Sequence, residues 1–151
     1  MKKYLKVLTL AGLLMAYSPV FAFSGSCSGN CQDGKGEFVS DDGVYDGTWK
    51  DGLLVQGKHD YPNGDSYTGH FVNGLPEGQG TMTYGEESNF GSYTGSWKAG
   101  KRSGQGTMTY SDGTTYKGSW KDDVRHGKGI TAEANGKGKT KVVFKDGTQI
   151  K

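Results

Sequence analysis

Few residues of this chain have side chains that could act on a substrate. There are two cysteines, Cys27 and Cys31, with Ser28, Gly29 and Asn30 between them, and three histidines, His59, His70 and His126. Cysteine and histidine together could hold zinc, but zinc takes about four ligands, and these histidines are scattered along the chain. The cysteine spacing is not the Cys-x-x-Cys of a redox pair. The adjacent acids Glu86-Glu87 and Asp122-Asp123 point apart on an extended strand or sit at turns, so they do not form a general acid–base pair. No serine lies in a Gly-x-Ser-x-Gly elbow. The many Gly-x-Gly pairs carry no full dinucleotide-binding pattern and open no helix. These residues predict no catalytic site, no cofactor and no metal. The expectation is a binding or structural protein.

The elements that carry these residues are strands, and they repeat. An aromatic-x-Gly-x-aromatic motif recurs as Tyr45-Asp46-Gly47-Thr48-Trp49, Tyr67-Thr68-Gly69-His70-Phe71, Tyr93-Thr94-Gly95-Ser96-Trp97 and Tyr116-Lys117-Gly118-Ser119-Trp120. A period in the twenties is the signature of a repeat array. Each motif is followed by a second segment, seen in identical form as Gly78-Gln79-Gly80-Thr81-Met82-Thr83-Tyr84 and Gly104-Gln105-Gly106-Thr107-Met108-Thr109-Tyr110. Gly127-Lys128-Gly129-Ile130-Thr131 and Gly34-Lys35-Gly36-Glu37-Phe38 are further copies. Between the two segments stand Asp51-Gly52, Asn73-Gly74 and Ala99-Gly100, and between repeats Asn63-Gly64, Asp112-Gly113 and Asn135-Gly136. Asn-Gly and Asp-Gly between alternating runs are strong hairpin signals, so each repeat reads as one β-hairpin. The longer, polar segment from Gly85 to Gly91 reads as an insertion at a loop tip.

Period-2 alternation puts Tyr45, Gly47 and Trp49 on one face of their strand and Asp46 and Thr48 on the other. A glycine between two rings leaves a slot in which a bulky side chain from a neighbouring strand can lie. The chain has 27 glycines, where average usage would give roughly 11. Aliphatic residues are sparse, so the rings must supply most of the burial, at on the order of 150–250 Å² each.

The pattern Tyr-x-Gly-x-Trp-Lys-Asp-Gly…Gly-x-Gly resembles the MORN repeat. Tyr93 to Thr107 is similar to a full copy. Tyr116 to Gly129 is nearly complete, with Asp123 where a turn glycine is usual. In the Tyr45 copy Val55 replaces the first glycine of Gly-x-Gly, and a degenerate last copy runs from Thr140 to Gly147. The resemblance covers residues 34–151 and implies an all-β protein built as an elongated, single-layer antiparallel sheet of consecutive hairpins. It also implies a module that binds proteins or membranes, or that dimerises.

Both ends add expectations. Lys2, Lys3 and Lys6, the apolar run from Val7 to Ala16 and the small residues of Val20-Phe21-Ala22 read as an export signal spanning residues 1–22. An uncleaved membrane anchor is the alternative. Residues 23–33 then form a cap that bears Cys27 and Cys31. In an exported, periplasmic or secreted chain such a pair reads as a disulfide, protecting the first hairpin edge.

Charge is uneven. Phe23 to Trp97 holds 3 lysines and 11 acids, a net of −8; Lys98 to Lys151 holds 12 basic and 5 acidic residues, a net of +7. Lys137, Lys139, Lys141 and Lys145 are candidate contacts for an anionic membrane or another polyanion. Head-to-tail self-association of acidic and basic ends is a second reading, and plain decoration of a solvated face a third. The leading function is therefore a non-catalytic scaffold that binds a protein partner or an anionic membrane. Its alternative is a glycan or cell-wall module that uses the aromatic rows Tyr45, Trp49, Tyr67, Phe71, Tyr93, Trp97, Tyr116 and Trp120. No nucleic-acid partner is expected.

Overall fold

The computed structural model describes residues 25–151, and the segment read as an export signal lies outside them. The described residues fold into one twelve-stranded antiparallel sheet in which each strand pairs only with its neighbours in sequence. The strands are β1 (Gly25–Gly29), β2 (Gly34–Ser40), β3 (Gly43–Lys50), β4 (Leu53–Asp60), β5 (Ser66–Val72), β6 (Leu75–Thr83), β7 (Phe90–Lys98), β8 (Lys101–Tyr110), β9 (Thr115–Lys121), β10 (Val124–Ala132), β11 (Thr140–Lys145) and β12 (Thr148–Gln149). The sheet is all-β, open and made of successive hairpins, as the repeats predict. The inserted loop is shorter than its sequence suggests, because Phe90 and Gly91 already belong to β7.

Turn chemistry explains the hairpins. The five turns after the aromatic motifs have both central residues at positive φ: Asp51-Gly52 (51°, 74°), Asn73-Gly74 (50°, 77°), Ala99-Gly100 (48°, 78°), Asp122-Asp123 (47°, 69°) and Asp146-Gly147 (47°, 85°). That is the type I′ geometry whose twist suits two-residue hairpins. The turn at Asp146-Gly147 joins β11 and β12 in the same geometry.

The first glycine of Gly-x-Gly has a backbone role. Gly69 faces Gly80 while His70 faces Glu77, so Gly78 and Gln79 are extra residues in a β-bulge. Gly78, Gly104 and Gly127 hold φ of 70°, 66° and 68° there, in the region that favours glycine. Val55 is β-branched and does not adopt it. Its hairpin forms a narrower bulge, with Thr48 facing Gln56 and Trp49 facing Leu54.

The second glycine has a packing role. The register lines up Gly36, Gly47, Gly57, Gly69, Gly80, Gly95, Gly106, Gly118 and Gly129 as one unbroken row across the sheet. A Cβ at Gly69 or Gly80 would meet the Tyr67 ring; at Gly95 or Gly106, Tyr93; and at Gly118 or Gly129, Tyr116. The ring in each slot is thus the motif's own tyrosine, which folds back over the glycines of both strands of its hairpin. The expected filler from another strand holds only for the second glycine of each pair. In the first hairpin Gly47 and Gly57 approach each other's backbone instead, and Tyr45 is rotated onto His59, with ring centroids 3.8 Å apart.

Two glycine substitutions separate these roles. A Cβ at Gly78 would have nothing within 4 Å, so Gly78→Ala should cost only the left-handed backbone term, about 1–2 kcal/mol. Gly106→Ala should expel the Tyr93 ring and cost more, about 3 kcal/mol. Denaturant unfolding of the two variants checks the order, and equal losses would refute the slot.

Candidate functional site

The sheet has two faces with different chemistry. On the first, the motif rings interlock. Tyr67 meets Phe71 and Trp97 edge-on with centroids 5.0 and 5.3 Å apart. Tyr93 meets Trp97 and Trp120 at 5.1 and 5.3 Å, and Tyr116 meets Trp120 and Phe144 at 5.4 and 5.5 Å. Each tyrosine therefore sits between its own repeat's ring and the next one's, in the T-shaped geometry that aromatic quadrupoles favour. The tyrosine hydroxyls donate to the carbonyls of His70, Ser96 and Ser119 at 3.2, 3.1 and 3.2 Å. The indole nitrogens of Trp49, Trp97 and Trp120 donate to the carbonyls of Gly36, Gly80 and Gly106.

This packing corrects one expectation. Tyr67, Tyr93 and Tyr116 have no exposed surface, and Trp49, Phe71, Trp97 and Trp120 are buried. Tyr45 is half-buried against Phe38 and His59. The aromatic rows are consumed by repeat-to-repeat contact, so they offer no open ring face on which a sugar could stack.

Burial governs the titration of this face. It pushes Tyr67 up to about 12, with Tyr61 and Glu77 adding to the rise, and Tyr93 up to about 12 against the opposing pull of Arg102. His59 is buried, stacked on Tyr45 and in tilted contact with Tyr61, with Nε2 3.0 Å from the Asp42 carbonyl. Burial lowers its pKa, against the raising influence of Asp42. His59 faces Tyr45 on one side and Tyr67 on the other, as Met82 lies between Tyr67 and Tyr93. It is a core residue at a repeat position. His70 is exposed, and His126 Nδ1 lies 3.3 Å from Asp146.

The second face is polar and ordered by charge. One cross-strand row runs Glu37, Asp46, Lys58, Thr68, Thr81, Thr94, Thr107, Lys117, Ile130, Lys141. The threonines in its middle touch side by side, with Thr81 and Thr94 Oγ1 atoms 3.0 Å apart. Beside them Gln79 donates to Ser96 and Gln105 to Ser119, both at 2.8 Å. The gradient read from the sequence thus reaches the surface in part: Glu37 and Asp46 with Lys58 beside them at one end, hydroxyls in the middle, and Lys117 and Lys141 at the other.

The predicted lysines divide. Lys141 and Lys145 lie on β11 and alternate with the buried Val142 and Phe144, so they share the polar face. Lys137 and Lys139 lie on the β10–β11 connection, exposed. Sequence reasoning passed over Lys117 and Lys128. Lys117 shares a row with Lys141 through Ile130, and Lys128 faces Val143. They hid inside the repeat motifs, although the same alternation that assigned the rings places them outward.

The cysteines form a disulfide, Cys27–Cys31. Residues 25–29 are a strand of the sheet, paired from Gly25–Ser40 to Gly29–Gly36. The Cys31 sulfur lies over Gly36, where a Cβ would stand 2.9 Å from it. Among the described residues no cluster of three His, Cys, Asp or Glu side chains is placed to hold a metal, and no helix is long and apolar enough to cross a membrane.

An open sheet of stacked hairpins with its rings turned inward defines a repeat array of the binding and scaffold class. The MORN repeat family matches at residues 45–66, 67–87, 93–115 and 116–132, more than half of the chain and in phase with the four motif tyrosines. The chain belongs to the MORN repeat family, whose members are in general non-enzymatic binding or scaffold elements. No curated protein matches the chain.

The buried groups fix the pH limits of the fold. His59 has a folded pKa below its ordinary 6.5, so its contribution should be complete above that pH and fade as pH falls below it. Tyr67 and Tyr93 are raised from 10.0 to about 12, so theirs should be complete below pH 10 and fade as pH rises toward 12. Thermal melts across pH should show a plateau between the two limits. The acid shoulder should be absent in His59→Met.

Proposed function

We propose that the chain is a non-catalytic scaffold that attaches to an anionic membrane through the basic end of its polar face. One observation carries this reading: Lys117, Lys128, Lys141 and Lys145 converge on β9–β11 around Ile130, which is 41 % exposed, and Val143. A lysine near an anionic bilayer contributes about 1 kcal/mol, so four on one face are enough for salt-sensitive attachment. The exposed Ile130 and half-buried Val143 offer shallow apolar contact at the same place. We further propose that the chain works after export, in the periplasm or outside the cell. The amino-terminal residues 1–22 support this, as does a disulfide of the kind oxidising compartments preserve.

An acidic protein surface is the second reading. It is favoured by the acids Glu37 and Asp46 at the far end of the same row, which would orient a partner along the array.

Vesicle cosedimentation tests the first reading. The protein should bind vesicles of anionic phosphatidylglycerol at low salt, release them at high salt, and ignore neutral phosphatidylcholine. Lys117→Glu combined with Lys128→Glu and Lys141→Glu should abolish binding while leaving the thermal melt nearly unchanged. Binding that survives the triple change would refute this face as the membrane contact.

A further inference from the structure

Three asparagines of this chain are followed by glycine: Asn63, Asn73 and Asn135. All three are exposed, and each lies in a turn between strands. Asparagine is a thermally labile residue. It is most labile before glycine, which puts no side chain in the way of the reacting amide and leaves the backbone free to rotate. The glycine nitrogen can then attack the asparagine side-chain carbonyl. What separates the three pairs is whether the fold leaves nucleophile and carbonyl free to meet.

At Asn63 and Asn135 both are held. The Gly64 amide donates to the Tyr61 carbonyl at 3.1 Å, and the Gly136 amide to the Glu133 carbonyl at 2.8 Å. The side chains close local Asx turns. Asn63 Oδ1 accepts from the Asp65 amide at 3.1 Å, while its Nδ2 donates to Asp65 Oδ2 at 3.0 Å. Asn135 Oδ1 accepts from the Lys137 amide at 2.7 Å, while its Nδ2 donates to Glu133 at 3.5 Å.

Asn73-Gly74 belongs to the hairpin turns that follow the aromatic motifs. In the other four, the amide of the second turn residue donates to a carbonyl of the preceding hairpin: Gly52 to Gln32, Gly100 to Pro76, Asp123 to Arg102 and Gly147 to Arg125, at 2.9–3.1 Å. In three of them the first amide is held as well, Asp51 by Asp33, Ala99 by Glu77 and Asp146 by His126. Among the described residues, neither amide of Asn73-Gly74 nor the Asn73 side chain has a protein hydrogen-bond partner. The cause lies one repeat earlier. Five positions separate Gly52 from Gly57, but six separate Gly74 from Gly80 and Gly100 from Gly106. With its narrower bulge, β4 is one residue short, and its pairing with β5 stops at Gln56 and His70. The first hairpin therefore does not reach the turn of the second. A Cβ at Gly74 would meet nothing within 4 Å, so there is open space in which a ring can close.

We propose that Asn73 is a site of spontaneous deamidation. The Gly74 amide gives its proton to hydroxide, and its nitrogen bonds to Asn73 Cγ. The Cγ–Nδ2 bond breaks, and Nδ2 takes a proton from water and leaves as ammonia. The succinimide ring that remains is opened by water at one of its two carbonyls, giving aspartate or isoaspartate. The net change is one amide hydrolysed by one water. Aspartate suits the turn: Asp51, Asp122 and Asp146 hold the same place at φ 51°, 47° and 47°, beside 50° for Asn73. Isoaspartate adds a backbone atom to a two-residue loop whose twist is matched to its strands. One product therefore adds only a negative charge, and the other opens the end of the β5–β6 hairpin. The site is independent of the lysine face and stands or falls separately from membrane attachment.

The test is incubation of the folded protein at mildly alkaline pH, followed by proteolysis and mass spectrometry. The Asn73 peptide should gain one mass unit at least roughly fivefold faster than the Asn63 and Asn135 peptides, the slowing that one retained hydrogen bond supplies. In concentrated urea the three should convert at similar rates, because each is then governed by its glycine alone. Labelling by isoaspartyl methyltransferase should appear first in the Asn73 peptide and be absent from it in Asn73→Asp. That variant should keep the parent melting temperature. Folded-state conversion of Asn73 no faster than that of Asn63 or Asn135 would overturn the assignment. The same ranking in urea would show that the fold is not its cause. A marked loss of stability in Asn73→Asp would overturn the fit of the aspartyl product.

Discussion

Each complete repeat hinges on a tyrosine ring lying across two glycines that face each other in its hairpin. A single-layer sheet normally has no second layer against which to bury apolar surface. Here the ring supplies that layer from within. It covers backbone on one side and meets two further rings on its edges, so the tyrosines of the middle repeats reach full burial in a sheet one layer thick. The arrangement requires glycine at both crossing points, because a methyl group there would occupy the space of the ring. Abundant glycine, sparse aliphatics and a nearly fixed register across the sheet all follow from this one contact. The strand penalty of glycine is offset by the aromatic burial it permits.

Where the ring is missing, the glycine rule changes with it. In the last copy Thr140 stands in the tyrosine place, and Val142, not glycine, fills the slot and is buried. Phe144 keeps the tryptophan place and closes the row of rings against Tyr116. At the other end Cys31 covers Gly36, so the disulfide acts as the terminal plug of the same row. In the first hairpin Tyr45 leaves its slot to stack on His59, and Gly47 and Gly57 close on each other. The departures from the repeat are thus the places where the array begins and ends.

Because packing consumes one face, recognition moves to what packing leaves free. The opposite face orders charge along the array, with a hydroxyl ladder between its acidic and basic ends. The five hairpin turns that follow the motifs differ in whether the preceding hairpin bonds to them, and Asn73-Gly74 is the turn left free. In a repeat protein such differences are informative, since the equivalent position serves as an internal control.

The hairpins, the turn positions, the strand faces and the all-β class were legible in the sequence, because Asp-Gly turns and period-2 alternation act over a few residues. So was the pairing of Cys27 with Cys31. The ownership of each glycine slot was not legible, because it depends on a tyrosine rotamer that folds back across two strands. That the rings supply the burial was legible from the scarcity of aliphatics; which ring meets which was not, because it depends on the next repeat's rings. The grouping of Lys117 and Lys128 with Lys141 required the register between strands that the β-bulges help to set. By itself the sequence determined a chain of hairpins and the residues on each side of it, through contacts local along the backbone. Only the tertiary structure decided which side is core, which is surface and which turn lacks a bond to the hairpin before it, because those depend on contacts between repeats some twenty residues apart.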